Sequence, residues 1–185
     1  IRSASVPAYA DEPGVKLASR TPTYVAARFE STEKKWRDVP FYVRSGKRLA
    51  VKETKVVFSF RGGCLSDIGQ RNYLEVILQG EAGLKLHLQT KLGGSEPKFR
   101  SLILEDPLIC MGDCLIEHSL LFLEAIQGNK RWFLSPEEVE TCWSIIDPLQ
   151  KVLDTPITPL YFYPSGSLGP KEVDAFIAQD QSMWF

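Results

Sequence analysis

The densest run of chemistry-bearing side chains is Val39-Pro-Phe-Tyr-Val-Arg-Ser-Gly-Lys-Arg-Leu49, continued by Lys52 and Lys55. Five cations, Arg44, Lys47, Arg48, Lys52 and Lys55, stand close together here, and Glu53 is the only nearby anion in the sequence. An expected strand over Val39 to Val43 delivers the chain to Ser45-Gly46, where glycine permits a turn or a close approach to a ligand, so Lys47 and its neighbours fall at a strand end. Ammonium groups so placed suit a phosphate. Each contact would be a charge-assisted hydrogen bond of about 1.5–3 kcal/mol, and two would supply much of a micromolar-to-millimolar affinity. A solvated basic turn accounts for the same residues, and composition alone favours it.

Other reactive side chains are scattered. Cys64, Cys110, Cys114 and Cys142 read as reduced thiols, since Cys110 and Cys114 have no second Cys/His pair at zinc-finger distance and only His118 nearby. No metal site is expected. His87 and His118 stand beside no carboxylate and nucleophile pattern of the kind acid–base or acyl-transfer chemistry needs, so no catalytic residue is assigned.

The elements that must position the basic run follow from periodicity. Tyr24 to Ser31 is rich in β-formers and ends in a charged turn; Lys55 to Arg61 alternates before Gly62-Gly63. Tyr73 to Gln79 and Leu84 to Thr90 form an expected hairpin across Gly80 to Gly83, and a short strand is expected over Leu102 to Leu104. Helices follow. One, apolar from Leu115 to Ile126, stops at Gly128 and is too apolar to face solvent. The next opens at Ser135-Pro-Glu-Glu138 with a capping box and is kinked or ended at Pro148; a Pro-rich tether then leads to a last short helix opened by Gly169-Pro-Lys-Glu172.

Strands first and helices later imply an α+β fold, a large mostly antiparallel sheet with helices on one face. The other face can meet its copy, because Val56, Val57, Phe58 and Phe60 are apolar at adjacent as well as alternate positions, and a homo-oligomer through the sheet is expected. With 22 Lys+Arg against 23 Asp+Glu the chain lacks the domain-wide basic excess of a nucleic-acid binder. Neither a signal peptide nor an apolar run long enough for a bilayer occurs, so no membrane contact and a cytoplasmic location are expected. The irregular opening from Ile1 to Pro22 has no initiating Met, and residue 1 is expected to lie inside a longer gene product.

Trp36-Arg-Asp-Val-Pro-Phe-Tyr-Val-Arg-Ser-Gly-Lys-Arg-Leu49 resembles the "R-W-x-G-V-P-F-x-x-R-x-G-K-x-L" stretch of glucose-6-phosphate dehydrogenases. Other pieces agree in order: Tyr9 to Val15 with Ser19 to Tyr24, Gln79-Gly-Glu-Ala-Gly83, Trp143-Ser-Ile-Ile-Asp-Pro-Leu149 and Tyr163-Pro-Ser-Gly-Ser-Leu-Gly-Pro170. The resemblance implies a single C-terminal substrate-binding and dimerisation domain over residues 1–185, without the family's N-terminal Rossmann domain. It implies Lys47 as a contact of the 6-phosphate or nearby sugar oxygens of glucose 6-phosphate, Lys52 as sharing the phosphate, and Gln79 as a neighbour of the sugar hydroxyls. The family oxidises C1 of that sugar to 6-phosphogluconolactone while NADP accepts a hydride. The Gly-rich nucleotide fingerprint, the Asp-His-Tyr-x-x-Lys peptide and the His base are not in this chain, so NADP is expected to bind mainly outside it. A second, structural NADP, which some family members hold on the sheet through Arg and Lys, is not expected, since the corresponding positions are Glu53, Val57, Ile77 and His87. Trp184 is expected to pack as a terminal anchor. Two other readings stay open: a non-catalytic assembly or regulatory module built on the same sheet, and a general phosphate binder.

Overall fold

A computed structural model of the chain describes residues 7–16, 19–61, 71–79, 81–96, 98–109, 117–153, 155 and 157–185. Cys64, Cys110, Cys114 and Leu115, on which some of the expectations fall, lie outside the described residues. The chain divides into two compact units, Ile1–Ala50 with Leu115–Trp184, and Val51–Cys114 with Phe185.

In the first unit β1 (Tyr24–Phe29) and β2 (Phe41–Gly46) pair antiparallel, with Tyr24 opposite Gly46 and Phe29 opposite Phe41. The second strand starts and ends later than its sequence pattern implies. Pro40 therefore precedes the ladder, which spares it a missing donor, and Lys47 is the first residue beyond the strand. Among the described residues three α-helices belong to this unit: α1 (Glu117–Ile126), α2 (Pro136–Leu153) and α3 (Glu172–Ala178). Gly128 ends α1 as expected, with φ of +70° and the Asn129 N–H returning to the Glu124 carbonyl at 2.9 Å. Phe122 and Ile126 are exposed, contrary to the expectation of a buried helix, because apolar residues on successive positions exceed what one helix face can cover.

The capping box of α2 forms in full. The Ser135 N–H donates to Glu138 Oε2 at 2.7 Å and the Glu138 N–H to Ser135 Oγ at 3.2 Å, satisfying two donors that the first turn would otherwise leave open. Pro148 does not end this helix, which runs on to Leu153. A proline removes one helical hydrogen bond at a cost of about 3 kcal/mol, and turns on both sides of it carry the helix through. The short α3 packs on the β1–β2 pair: Tyr42 meets Phe176 edge to face at 6.3 Å, while Asp180 takes the Arg28 guanidinium at 2.7 Å and the Tyr42 hydroxyl.

The second unit is a four-stranded antiparallel meander of β3 (Thr54–Ser59), β4 (Tyr73–Gln79), β5 (Gly83–Lys91) and β6 (Phe99–Pro107), in that spatial order. β4 and β5 pair as the expected hairpin, with Gly80 of its connection outside the described residues, and the last strand is far longer than the three residues its sequence suggests. Any side chain at Gly83 would set its Cβ 2.6 Å from the Asp106 carbonyl oxygen, so the hairpin needs glycine where β5 passes β6.

Antiparallel strands with helices give the α+β class expected. Among the described residues the strands form a two-stranded and a four-stranded sheet instead of one large sheet. The backbone beyond β2 is already engaged elsewhere: Ala50 N–H donates to the Ser167 carbonyl at 2.9 Å and the Arg48 carbonyl accepts from Gly166 at 2.8 Å.

Cross-strand partners share a face, so register sorts the residues of the meander. One face carries Val56, Val76 and Leu84 in one row, Phe58, Leu74, Leu86 and Leu104 in the next, and Leu88 with Leu102 beyond. The other carries the row Val57, Glu75, Lys85 and Glu105, flanked by Ile77 and by Tyr73 with His87.

Candidate functional site

The basic run loses much of its charge once folded. Arg48 pairs with Glu12 at 2.5 Å, Lys55 lies 3.3 Å from Glu53 and 3.0 Å from Glu75, and Arg44 stacks its guanidinium over the Trp184 ring at 4.8 Å. The sequence made Glu53 the only nearby anion. Glu12 and Glu75 correct that, since they are distant in sequence and are brought in by a loop and a neighbouring strand. Of the five cations, Lys47 and Lys52 have no acidic partner among the described residues, and both are exposed.

Lys47 leaves the end of β2 on a backbone that is held tightly. Its N–H donates to the Thr23 carbonyl at 2.8 Å, and its own carbonyl accepts from the Tyr163 hydroxyl at 2.9 Å. Arg48, the next residue, has φ of +51°, a conformation that costs a non-glycine residue about 1 kcal/mol or more and persists only where neighbours enforce it. Gly46 is required just before, because a Cβ there would meet the Tyr24 ring at 2.5 Å. The side chain of Lys47 thus springs from a fixed point, and its unpaired ammonium can serve an anion.

Lys52 and Gln79 belong to the second unit. Gln79 closes β4 opposite Thr54, whose Oγ1 lies 3.2 Å from Gln79 Oε1, so Gln79 and the strand start two residues after Lys52 share one end of the meander. Trp184 is anchored as expected: its Nε1–H donates to the Val173 carbonyl at 3.2 Å and its ring meets Tyr42 at 6.0 Å.

A second polar cluster sits on the meander. His87, isolated in sequence from any catalytic pattern, places Nε2 3.1 Å from Glu75 Oε2 and stacks on Tyr73 at a centroid distance of 4.1 Å. Strand register carries the signal that sequence order hides: the three-residue connection between Gln79 and Gly83 sets Tyr73 opposite His87, with Glu75 next along the same face. Glu75 is 8 % exposed. Burial pushes its carboxyl up, but hydrogen bonds from Lys55 and His87 outweigh that and hold it below its ordinary value of 4.5. A carboxyl depressed on folding stabilises the fold above its unfolded value and loses that contribution as pH falls through the folded one. Stability in chemical denaturation is therefore expected to fall from about pH 5 to about pH 3, more steeply than in Glu75→Gln. Parallel acid limbs for the two proteins would refute the assignment.

A family model described as glucose-6-phosphate dehydrogenase, C-terminal domain, matches residues 1–185. The chain is 30% identical over 189 residues to the glucose-6-phosphate 1-dehydrogenase of Bacillus subtilis, covering 97% of this chain and 38% of that protein. A crystal structure of the Mycobacterium avium glucose-6-phosphate 1-dehydrogenase matches with a TM-score of 0.75 at 26% identity, over 96% of this chain and 38% of the other. A glucose-6-phosphate dehydrogenase solved in complex with its substrate glucose 6-phosphate has the same fold, with a TM-score of 0.79 at 23% identity over 98% of this chain and 39% of that one. The chain spans about two fifths of the length of the curated relatives it matches. With the matched segment running from the first residue to the last, the chain belongs to the glucose-6-phosphate dehydrogenase C-terminal domain family.

Proposed function

We propose that this chain is the substrate-binding and dimer-forming part of a cytoplasmic, NADP-dependent glucose-6-phosphate dehydrogenase, acting as one functional domain over residues 1–185. The observation that carries the reading is Lys47, an unpaired cation on an immobilised turn within the motif that resembles the family's own. Lys47 and Lys52 are ligands of the sugar's phosphate, and Gln79 meets its hydroxyls. Two ammonium groups offset the phosphate's charge and orient the ring; the chemistry at C1 needs a base and a hydride acceptor. NADP supplies that acceptor when bound; its site and the base are assigned, on the family resemblance, to sequence outside residues 1–185, since this chain spans about two fifths of its relatives' length.

A structural NADP does not fit the meander. Of the four corresponding positions, Glu53 is committed to Lys55 at 3.3 Å, Ile77 is 7 % exposed, Val57 is apolar and His87 is engaged by Glu75. The lysines on that face are already paired, Lys55 with Glu53 and Glu75 and Lys85 with Glu105, so a polyphosphate there would have to compete with carboxylates for them.

A second copy of the chain is the proposed occupant of the meander's apolar face. Val56, Phe58, Leu84, Leu102 and Leu104 are each between 37% and 51% exposed, and together they form a contiguous apolar surface of the kind that association covers. The direct test of the enzyme reading uses two preparations. The complete gene product is expected to reduce NADP with glucose 6-phosphate, and the 185-residue chain alone is expected not to. Turnover by the isolated chain, or none by the complete product, would contradict it.

A further inference from the structure

The segment from Tyr163 to Ser167 crosses the Lys47 turn and bonds to it at three places. Tyr163 Oη lies 2.9 Å from the Lys47 carbonyl oxygen and 3.0 Å from that of Thr23, so its single proton is shared between the end of the loop before β1 and the residue after β2. Thr23 Oγ1, at 3.3 Å, completes the shell of this hydroxyl. Three residues on, the Gly166 N–H donates to the Arg48 carbonyl at 2.8 Å, and the Ala50 N–H donates back to the Ser167 carbonyl at 2.9 Å. Ser167 in turn fixes the strap's own bend, its Oγ donating to the Pro164 carbonyl at 2.7 Å.

These bonds fall on either side of the lysine proposed to hold phosphate. Thr23, Lys47, Arg48 and Ala50 all have a backbone group engaged, and the left-handed Arg48 lies between two of the bonds. None of the strap's residues is cationic, and apart from Thr23 Oγ1 its partners in these contacts are backbone groups, so its effect on a ligand must pass through where Lys47 starts. We propose that Tyr163 is a positioning residue for Lys47, and that the Tyr163–Ser167 strap holds the phosphate-binding turn in its ligand-ready shape. This rests on the reading of Lys47 as a phosphate ligand. Positioning of this kind improves affinity by removing the ordering that an unrestrained turn would undergo on binding.

Tyr163→Phe removes the hydroxyl and keeps the ring, which packs edge-on to Tyr24 at 5.4 Å. In the complete gene product this variant is expected to raise KM for glucose 6-phosphate about three- to tenfold, the range for loss of one neutral hydrogen bond. The values of kcat and of KM for NADP should stay within about twofold. The same substitution in a Lys47→Ala background should have no further effect, because a positioning residue has nothing left to position. An equal factor in both backgrounds, or a matching rise in KM for NADP, would overturn the proposal and leave Tyr163 a general stabiliser of the fold. Lys47→Ala by itself leaving KM for the sugar phosphate unchanged would remove the phosphate reading, and the positioning role with it. Should Tyr163→Phe not fold, Ser167→Ala loosens the strap at its exposed bend and should show the same background dependence with a smaller factor; additivity there is equally fatal.

Discussion

Replacing Lys47 by alanine in the complete gene product is expected to raise KM for glucose 6-phosphate about 10- to 100-fold, the factor that corresponds to one charge-assisted hydrogen bond of about 1.5–3 kcal/mol. The value for NADP should move less than about twofold, because the lysine is assigned no part in nucleotide binding. Its own surroundings make the selectivity plausible on physical grounds. The ammonium makes no ion pair among the described residues, and the bonds that fix the turn run through backbone atoms, so alanine removes a charge without unpicking the turn. Steady-state kinetics with each substrate varied in turn decide the matter. Equal increases in both KM values would mean that Lys47 acts through folding.

Phe58→Glu is expected to weaken self-association about 100-fold or more, measured by sedimentation velocity over a range of concentrations. Phe58 lies on the edge strand β3, at the end of the central row of the apolar face, in register with Leu74, Leu86 and Leu104. A carboxylate pressed there against the same surface of a second copy would find no counter-ion, a penalty of several kcal/mol for a buried unpaired charge. The face is half exposed at this residue, so the substitution places the new charge in water when the chain is alone and should leave its fold standing. A dimer of undiminished strength would show that copies meet elsewhere.

The elements were largely legible because their signals are local. The period of the strands, the glycines after Gln79 and the Ser135–Glu138 box each specify a few residues of backbone without help from the rest of the chain, and each is present as expected. Boundaries and partners were not legible for the opposite reason. The β6 strand continues through Arg100, Ser101, Glu105 and Asp106, polar residues that read as loop until a neighbouring strand supplies hydrogen bonds to their backbone. Pairing of Arg48 with Glu12, of His87 with Glu75, and of the Lys47 carbonyl with Tyr163 depends on register and long-range closure, neither of which leaves a mark on composition. At the site, residue type and motif pointed to Lys47, and only coordinates show which of its cationic neighbours are already spoken for.

The clasp between Tyr163 and Thr23 joins residues 140 positions apart, whereas each turn of the β3–β6 meander spans a short stretch of chain. During synthesis from the N-terminus the meander's partners emerge close together and can find one another early, since nearby pairing involves little loss of chain entropy. The turn bearing Lys47 has to wait until Tyr163 and the residues after it have left the ribosome. The nascent chain thus acquires its strand surface before the corner that carries Lys47 is tied down.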